Sequence, residues 1–157
     1  MQIYRIAYER YAAAPLDGEG SYRVGGRWSS RGTRMAYTST TATLAMLEFR
    51  AHVDATSFDP INPPKLVVVS AEINDASVLP LATPLPTDWR TYPAPAELTT
   101  LGDAWIADRS SLGLIVPSAL LPTIVPERNV LINPQHPDFA DVTWRADAFS
   151  FDPRLLT

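Results

Sequence analysis

The chain has no cysteine, one lysine and two histidines among its 157 residues. The missing thiols exclude a disulfide framework, a thiolate metal site and a cysteine nucleophile at once, and they fit a reducing compartment. His52 and His136 have no second histidine or carboxylate at metal-ligand spacing on this reading, so no metal site is expected. No apolar run approaches a membrane span; the longest, LVVVSA at Leu66–Ala71, has the length of a strand. MQIYRIAYERY at the N-terminus lacks the basic-then-apolar layout of a signal peptide. No phosphate-binding loop or dinucleotide fingerprint is present, because GEGSYRVGG lacks the strand–turn–helix setting. The expectation is a cytoplasmic protein with no membrane association, folded as a single domain over residues 1–157.

What is present is unevenly charged. The net charge of −4 argues against general affinity for nucleic acid. Residues 1–50 carry seven arginines (Arg5, Arg10, Arg23, Arg27, Arg31, Arg34, Arg50) against four acids, whereas the rest of the chain carries six basic and 13 acidic groups. The planar guanidinium fork suits bidentate recognition of phosphate or carboxylate. An arginine-rich segment on an acidic protein points to a small anionic ligand or, equally, to surface arginines without such a role.

Gln2–Ala7 alternates as a strand should, Arg34–Ser39 reads as a short strand, and Lys65–Ile73 is the clearest buried one. Pro15 to Gly26 reads as a glycine-bearing loop. Residues 79–95 contain five prolines (Pro80, Pro84, Pro86, Pro93, Pro95), which excludes regular structure and predicts an ordered surface loop anchored by Trp89 and Tyr92. Ala96–Asp108 has helical spacing. Leu114–Val116 and Val130–Ile132 read as further short strands, and Val142–Phe151 as a closing strand. Strands outnumber helices without strict alternation, so the predicted class is α+β with a mixed or antiparallel sheet.

Glu48 stands out against this background. It lies in TTATLAMLEFRAHV, a predicted helix from Thr40 to Val53 capped by Ser39 or Thr40. Leu44, Leu47, Glu48 and Ala51 share one face, and Met46, Phe49 and Val53 form a second apolar stripe, so the helix is expected to be packed on most of its circumference. A carboxylate there costs several kcal/mol of desolvation unless it is paired or faces a polar cavity. Arg27 in GGRW, Tyr37 in AYTS and Glu48 follow one another at spacings of ten and eleven residues, one from each successive element. Gly25 and Gly26 would allow close backbone approach to a ligand. Ser118 and Asn129 sit at the ends of apolar strands, where polar groups line clefts or cap turns.

GSYRVGGRWSSRG, AYTSTTATLAMLE, LGDAWIAD, LIVPSALLP, RNVLINPQHPDF and FSFDPRL, in this order, resemble the RES domain, the toxin half of bacterial toxin–antitoxin pairs. The likeness runs from Tyr4 to Leu155. The arginine, glutamate and serine that name the family fall by motif on Arg27, Glu48 and Ser118, with Tyr37 at the position of a pocket tyrosine. The resemblance implies a fold like that of ADP-ribosyltransferase toxins and cleavage of the nicotinamide–ribose bond of NAD, a substrate here and not a prosthetic group. ADP-ribose would pass to water, phosphate or a protein. The implied partner is an Xre-type helix-turn-helix antitoxin whose tail occludes the pocket, around a toxin homodimer in a larger complex.

That chemistry gives each residue an expected part. Glu48 would stabilise the positive charge that builds on the ribose as nicotinamide departs. Arg27 would grip the pyrophosphate, and Tyr37 would offer nicotinamide a ring face. Ser118, Asn129 and Trp28 are further substrate contacts on this reading, and Arg5 either joins Arg27 on the phosphates or forms a salt bridge. A toxin-like module that binds a nucleotide or a partner helix without turnover is the alternative from another class.

Overall fold

The computed structural model describes residues 1–53 and 63–156. Among them, seven strands form one sheet: β1 (Gln2–Tyr8), β2 (Ala36–Ser39), β3 (Leu66–Glu72), β4 (Val78–Pro80), β5 (Gly113–Val116), β6 (Asn129–Ile132) and β7 (Trp144–Phe149). Their order is β4-β5-β6-β2-β1-β3-β7, and only the β4–β5 pair is parallel. With helices α1 (Glu19–Val24), α2 (Ala42–His52) and α3 (Ala96–Asp108), the protein is a single α+β domain with a mixed sheet.

Alternation along the strands divides the core. Val130 and Ile132 of β6 join Ile3, Ala36 and Ala71 on one face of the sheet. Leu131 points the other way, into a cluster with Leu98, Trp105 and Ile106 of α3 and with Trp28 and Met35. On that same face Ile6 and Leu66 pack against Ala45 of α2, with Tyr4, Tyr8 and Phe49 around them. The two longer helices therefore lie side by side over one face. Burial of these aliphatic and aromatic side chains, each contributing about 1.5–3 kcal/mol, supplies the main drive for folding.

The sheet is split where the site forms. β1 pairs with β3 along its whole length, from Gln2↔Glu72 to Tyr8↔Leu66. Against β2 it pairs only at Tyr4↔Ser39. Beyond Tyr4 the two strands diverge, and α2 spans the gap from above.

Four local expectations change. The Pro15–Gly26 segment holds α1, bounded by Gly18 and Gly25, with the Glu19 amide donating to Asp17 Oδ1 at 2.9 Å and an Arg23–Glu19 pair one turn apart. Thr41, rather than Ser39 or Thr40, caps α2, its Oγ1 accepting from the Leu44 amide at 3.2 Å. The helix is also less enclosed than its pattern suggests, because Leu47 is 46% exposed. Finally, the proline-rich segment begins inside β4, where edge position tolerates Pro80; Trp89 packs on the core as expected, but Tyr92 is 88% exposed and anchors nothing.

Candidate active site

Glu48 sits at the end of the second turn of α2, with its side chain 22% exposed at a cavity of about 370 Å³. The walls come from β1 (Tyr4, Arg5, Ile6), β2 (Tyr37, Thr38, Ser39), the α1 region and α2, so the cavity occupies the split between β1 and β2. The two carboxylate oxygens are treated differently. Oε1 accepts from Ser118 Oγ at 2.7 Å and from Asn129 Nδ2 at 2.5 Å. Asn129 is itself oriented by Ser39, whose hydroxyl donates to Asn129 Oδ1 at 2.8 Å, and Ser118 Oγ accepts from the Leu120 amide at 3.1 Å. Oε2 has His52 Nε2 at 3.8 Å, one helical turn on. His52 thus has a carboxylate neighbour at i−4, contrary to the expectation that it has none at such spacing.

These neutral donors fix the carboxylate without neutralising it. Hydrogen bonds to a charged acceptor are worth about 1.5–3 kcal/mol each and hold its orientation. No arginine is paired with Glu48 among the described residues. A carboxylate at a cavity wall, with one oxygen committed to two donors and the other making no hydrogen bond among the described residues, can stabilise a cation or accept a hydrogen bond from a substrate hydroxyl.

Tyr37 lines the same cavity from β2. Its hydroxyl accepts from the Trp28 amide at 3.0 Å and shares a hydrogen bond with Ser29 Oγ at 2.9 Å. Burial raises its pKa above the ordinary 10.0, so the phenol stays neutral. Gly26 makes this packing possible: a Cβ there would come within 2.5 Å of the Tyr37 oxygen. The second glycine of GGRW is thus required for contact with Tyr37.

Arg5 reaches the cavity from β1. Its guanidinium has no hydrogen bond or ion pair among the described residues; the nearby Asp17 charge acts on it through space, while burial lowers its pKa. A desolvated guanidinium whose donors are not used, and whose nearby Asp17 charge makes no direct ion pair with it, is suited to binding an anion.

Arg27 and Trp28 lie elsewhere. The Arg27 guanidinium donates to the carbonyls of Trp89 at 2.7 Å and Thr91 at 3.1 Å, so it ties the proline-rich loop to the GGRW turn and does not line the cavity. Trp28 is 2% exposed in the α3-side core and has no surface to offer a substrate. Ser118 is buried behind Glu48 and touches the carboxylate, not the cavity. The structure therefore gathers Glu48, Tyr37, Asn129 and Arg5 at one cavity, with Ser118 in support. Ser39 and His52 were missed by sequence reasoning. The His52 position, four residues after Glu48 on a helix, was readable as a signal; that of Ser39 was not, because its contact depends on Asn129 arriving from β6.

Comparison with known proteins bears on this arrangement. Residues 2–153 match the RES domain family. The chain is 38% identical over 158 residues to "Toxin Res" of Yersinia enterocolitica, covering 99% of each protein. It is 33% identical over 166 residues to the "Prs ADP-ribosylating toxin" of a Sphingobium species, covering 98% of this chain and 96% of that one. Among solved structures it is similar to a chain in the crystal structure of the M. tuberculosis MbcT–MbcA toxin–antitoxin complex, with a TM-score of 0.71 at 19% identity, over 99% of this chain and 86% of the other. That last likeness concerns the fold.

Proposed function

Because this chain belongs to the RES domain family, we propose that it is a toxin that cleaves the nicotinamide–ribose bond of NAD and passes ADP-ribose to water or phosphate, depleting NAD and arresting growth. The observation that carries the reading is the Glu48 carboxylate, held by Ser118 and Asn129 on one oxygen and without a hydrogen bond on the other among the described residues, in a cavity shared with Tyr37 and Arg5.

The mechanism follows from charge. Departure of nicotinamide leaves an oxocarbenium-like ribose, and the carboxylate stabilises that cation as it forms. The open Oε2 accepts a hydrogen bond from a ribose hydroxyl, which strengthens in the transition state. Tyr37 presents its ring to the nicotinamide and stays uncharged. Arg5 takes the pyrophosphate, the part first given to Arg27, since Arg27 is occupied by two loop carbonyls. Ser118 and Asn129 act through Glu48, holding its carboxylate in one orientation.

A second reading is favoured by one relative, the ADP-ribosylating toxin of Sphingobium: this chain transfers ADP-ribose to a specific protein. Both readings share the bond cleavage and differ in the acceptor. A protein with this chemistry in its own cytoplasm needs an inhibitor. An Xre-type antitoxin whose tail enters the cavity fits that need, and the excess of acidic over basic residues in the sequence after residue 50 suits a basic partner. A toxin homodimer within that complex belongs to the same proposal. The test is incubation of the purified chain with NAD, scoring released nicotinamide, free ADP-ribose, phosphorylated ADP-ribose and mass added to proteins. Nicotinamide with free or phosphorylated ADP-ribose is the expected result. Label found only on one protein selects the second reading, and intact NAD under all conditions rejects both in favour of a module that binds without turnover.

A further inference from the structure

The side chain facing the uncommitted oxygen of Glu48 is an imidazole. His52 Nε2 lies 3.8 Å from Oε2, whereas Oε1 is taken by Ser118 and Asn129. That separation is too long for a hydrogen bond and within the reach of an ion pair. The i, i+4 spacing on α2 keeps the two groups on one helical face. His52 also lines the cavity, and its side chain is 67% exposed, so the ring has room to turn onto the carboxylate or away from it.

Few other charges face this pair. β1 brings Arg5 and the phenol of Tyr4 to the cavity, β2 brings Tyr37, and β6 brings the neutral Asn129. The part of α1 that lines it, Gly20, Ser21 and Val24, carries no ionisable side chain. Behind α2, Tyr8 of β1 meets Phe49, and β3 packs with Leu66 and Val68. Arg50, on α2 itself, donates to the carbonyls of Val53 and Leu155. Arg145 and Asp147 of β7 pair with each other, as do Asp152 and Arg154 after it. Of the ionisable side-chain types in the cavity, imidazole alone ordinarily changes charge between about pH 5 and 8. His136, the second histidine of the chain, lies beside Asp138 and does not line the cavity.

We propose that His52 is a positioning residue that makes NAD cleavage depend on its own charge: as imidazolium it draws Oε2 of Glu48 into an ion pair and withholds it from the substrate, and as neutral imidazole it leaves that oxygen to the ribose. Lowering the pH charges the ring, which offsets the negative charge facing the ribosyl cation and occupies the acceptor of the ribose hydroxyl. Raising the pH reverses both effects, so activity climbs with pH through the range in which imidazole titrates. The catalytic consequence rests on the NAD reading, whereas the pairing of the two side chains does not.

Two measurements test it. In the first, nicotinamide release from NAD is followed at about pH 8 and about pH 5.5, and each chain is scored by the ratio of its own kcat/KM values. The ratio is expected to be about tenfold in the unaltered chain and about twofold or less in His52→Gln, whose amide carries no charge at either pH. The position is exposed, so this substitution spares the core. In the second, carbon NMR follows the side-chain carboxyl of Glu48 over the same range without NAD, the signal being identified by its loss in Glu48→Gln. Its shift should move with pH in the unaltered chain and several-fold less in His52→Gln.

Equal rate ratios in the two chains, or a Glu48 signal whose pH response survives His52→Gln, overturns the proposal and leaves NAD cleavage at Glu48 intact. A Glu48 signal that depends on His52, in a chain that releases no nicotinamide at either pH, supports the pairing and removes the NAD reading.

Discussion

At the residue scale, the asymmetry of the Glu48 carboxylate determines how substitutions around it read out. Asn129→Ala removes a hydrogen bond to a charged oxygen, worth about 1.5–3 kcal/mol, while its partner Ser39 loses an acceptor. We expect kcat for nicotinamide release to fall by roughly tenfold or more, with a smaller change in KM, as initial-rate kinetics would measure; an equal loss in both would mean Asn129 binds substrate and does not position Glu48. Tyr37 yields a prediction about pH. Its folded pKa is raised by burial, so the folded state keeps a proton that the unfolded chain loses near the ordinary 10.0. The resulting stability is present below pH 10 and declines as pH rises above it. Urea midpoints of the unaltered chain should therefore drop more steeply above pH 10 than those of Tyr37→Phe. Parallel slopes would show that the phenol does not titrate in the folded state as described.

At the scale of elements, two loops converge on the serine behind Glu48. Arg27 holds the carbonyls of Trp89 and Thr91; Arg90, in the same loop, donates to the carbonyls of Ala119 at 3.1 Å and Leu121 at 2.8 Å, on the loop that carries Ser118. Arg27→Ala is expected to speed amide exchange at residues 86–95. It should also lower kcat more than it raises the KM for NAD. A dominant rise in KM would restore Arg27 to the phosphates. Arg90→Ala and Ser118→Ala should be less than additive in kcat, since they disturb one connection. α3 depends on a close approach of its own. A Cβ at Gly102 would fall 1.7 Å from the Trp28 carbonyl oxygen. Gly102→Ala should thus lower stability by about 3 kcal/mol or prevent folding, as denaturant unfolding would measure.

These elements also show what the sequence could and could not reveal. β1, β3 and α3 were legible because their apolar periods run for seven or more residues. α1 was not: six residues between glycines, without a side-chain cap, leave no period to read, and it is tied down by the buried Ser21, whose Oγ donates to the Thr33 carbonyl and accepts from the Met35 amide. Glu48 and Tyr37 were legible as an acid and an aromatic in apolar elements. Arg27 misled because arginine is equally suited to phosphates and to backbone carbonyls. The choice was made by a loop 62 residues away in sequence. Trp28 was misplaced for a related reason, since its neighbour Arg27 is at the surface while its own ring turns into the core.

For the whole molecule, the decisive feature is a sheet continuous on both sides of one gap. β1–β3–β7 and β4–β5–β6–β2 each hold together by full ladders, and the single Tyr4↔Ser39 bridge joins them. The split supplies the cavity, α2 hangs the carboxylate over it, and the arginine-rich first third supplies the cation. No helix among the described residues is long and apolar enough to cross a membrane. The account rests on Glu48 as the stabiliser of a ribosyl cation, and Glu48→Gln keeps both hydrogen bonds to its side-chain oxygen while removing the charge. The direct measurement is the rate of nicotinamide release from NAD by the purified Glu48→Gln chain, beside its unfolding midpoint. The account predicts a fall of about 10²–10³-fold, the scale of losing an electrostatic stabiliser, with the midpoint held; release at the unaltered rate would contradict it.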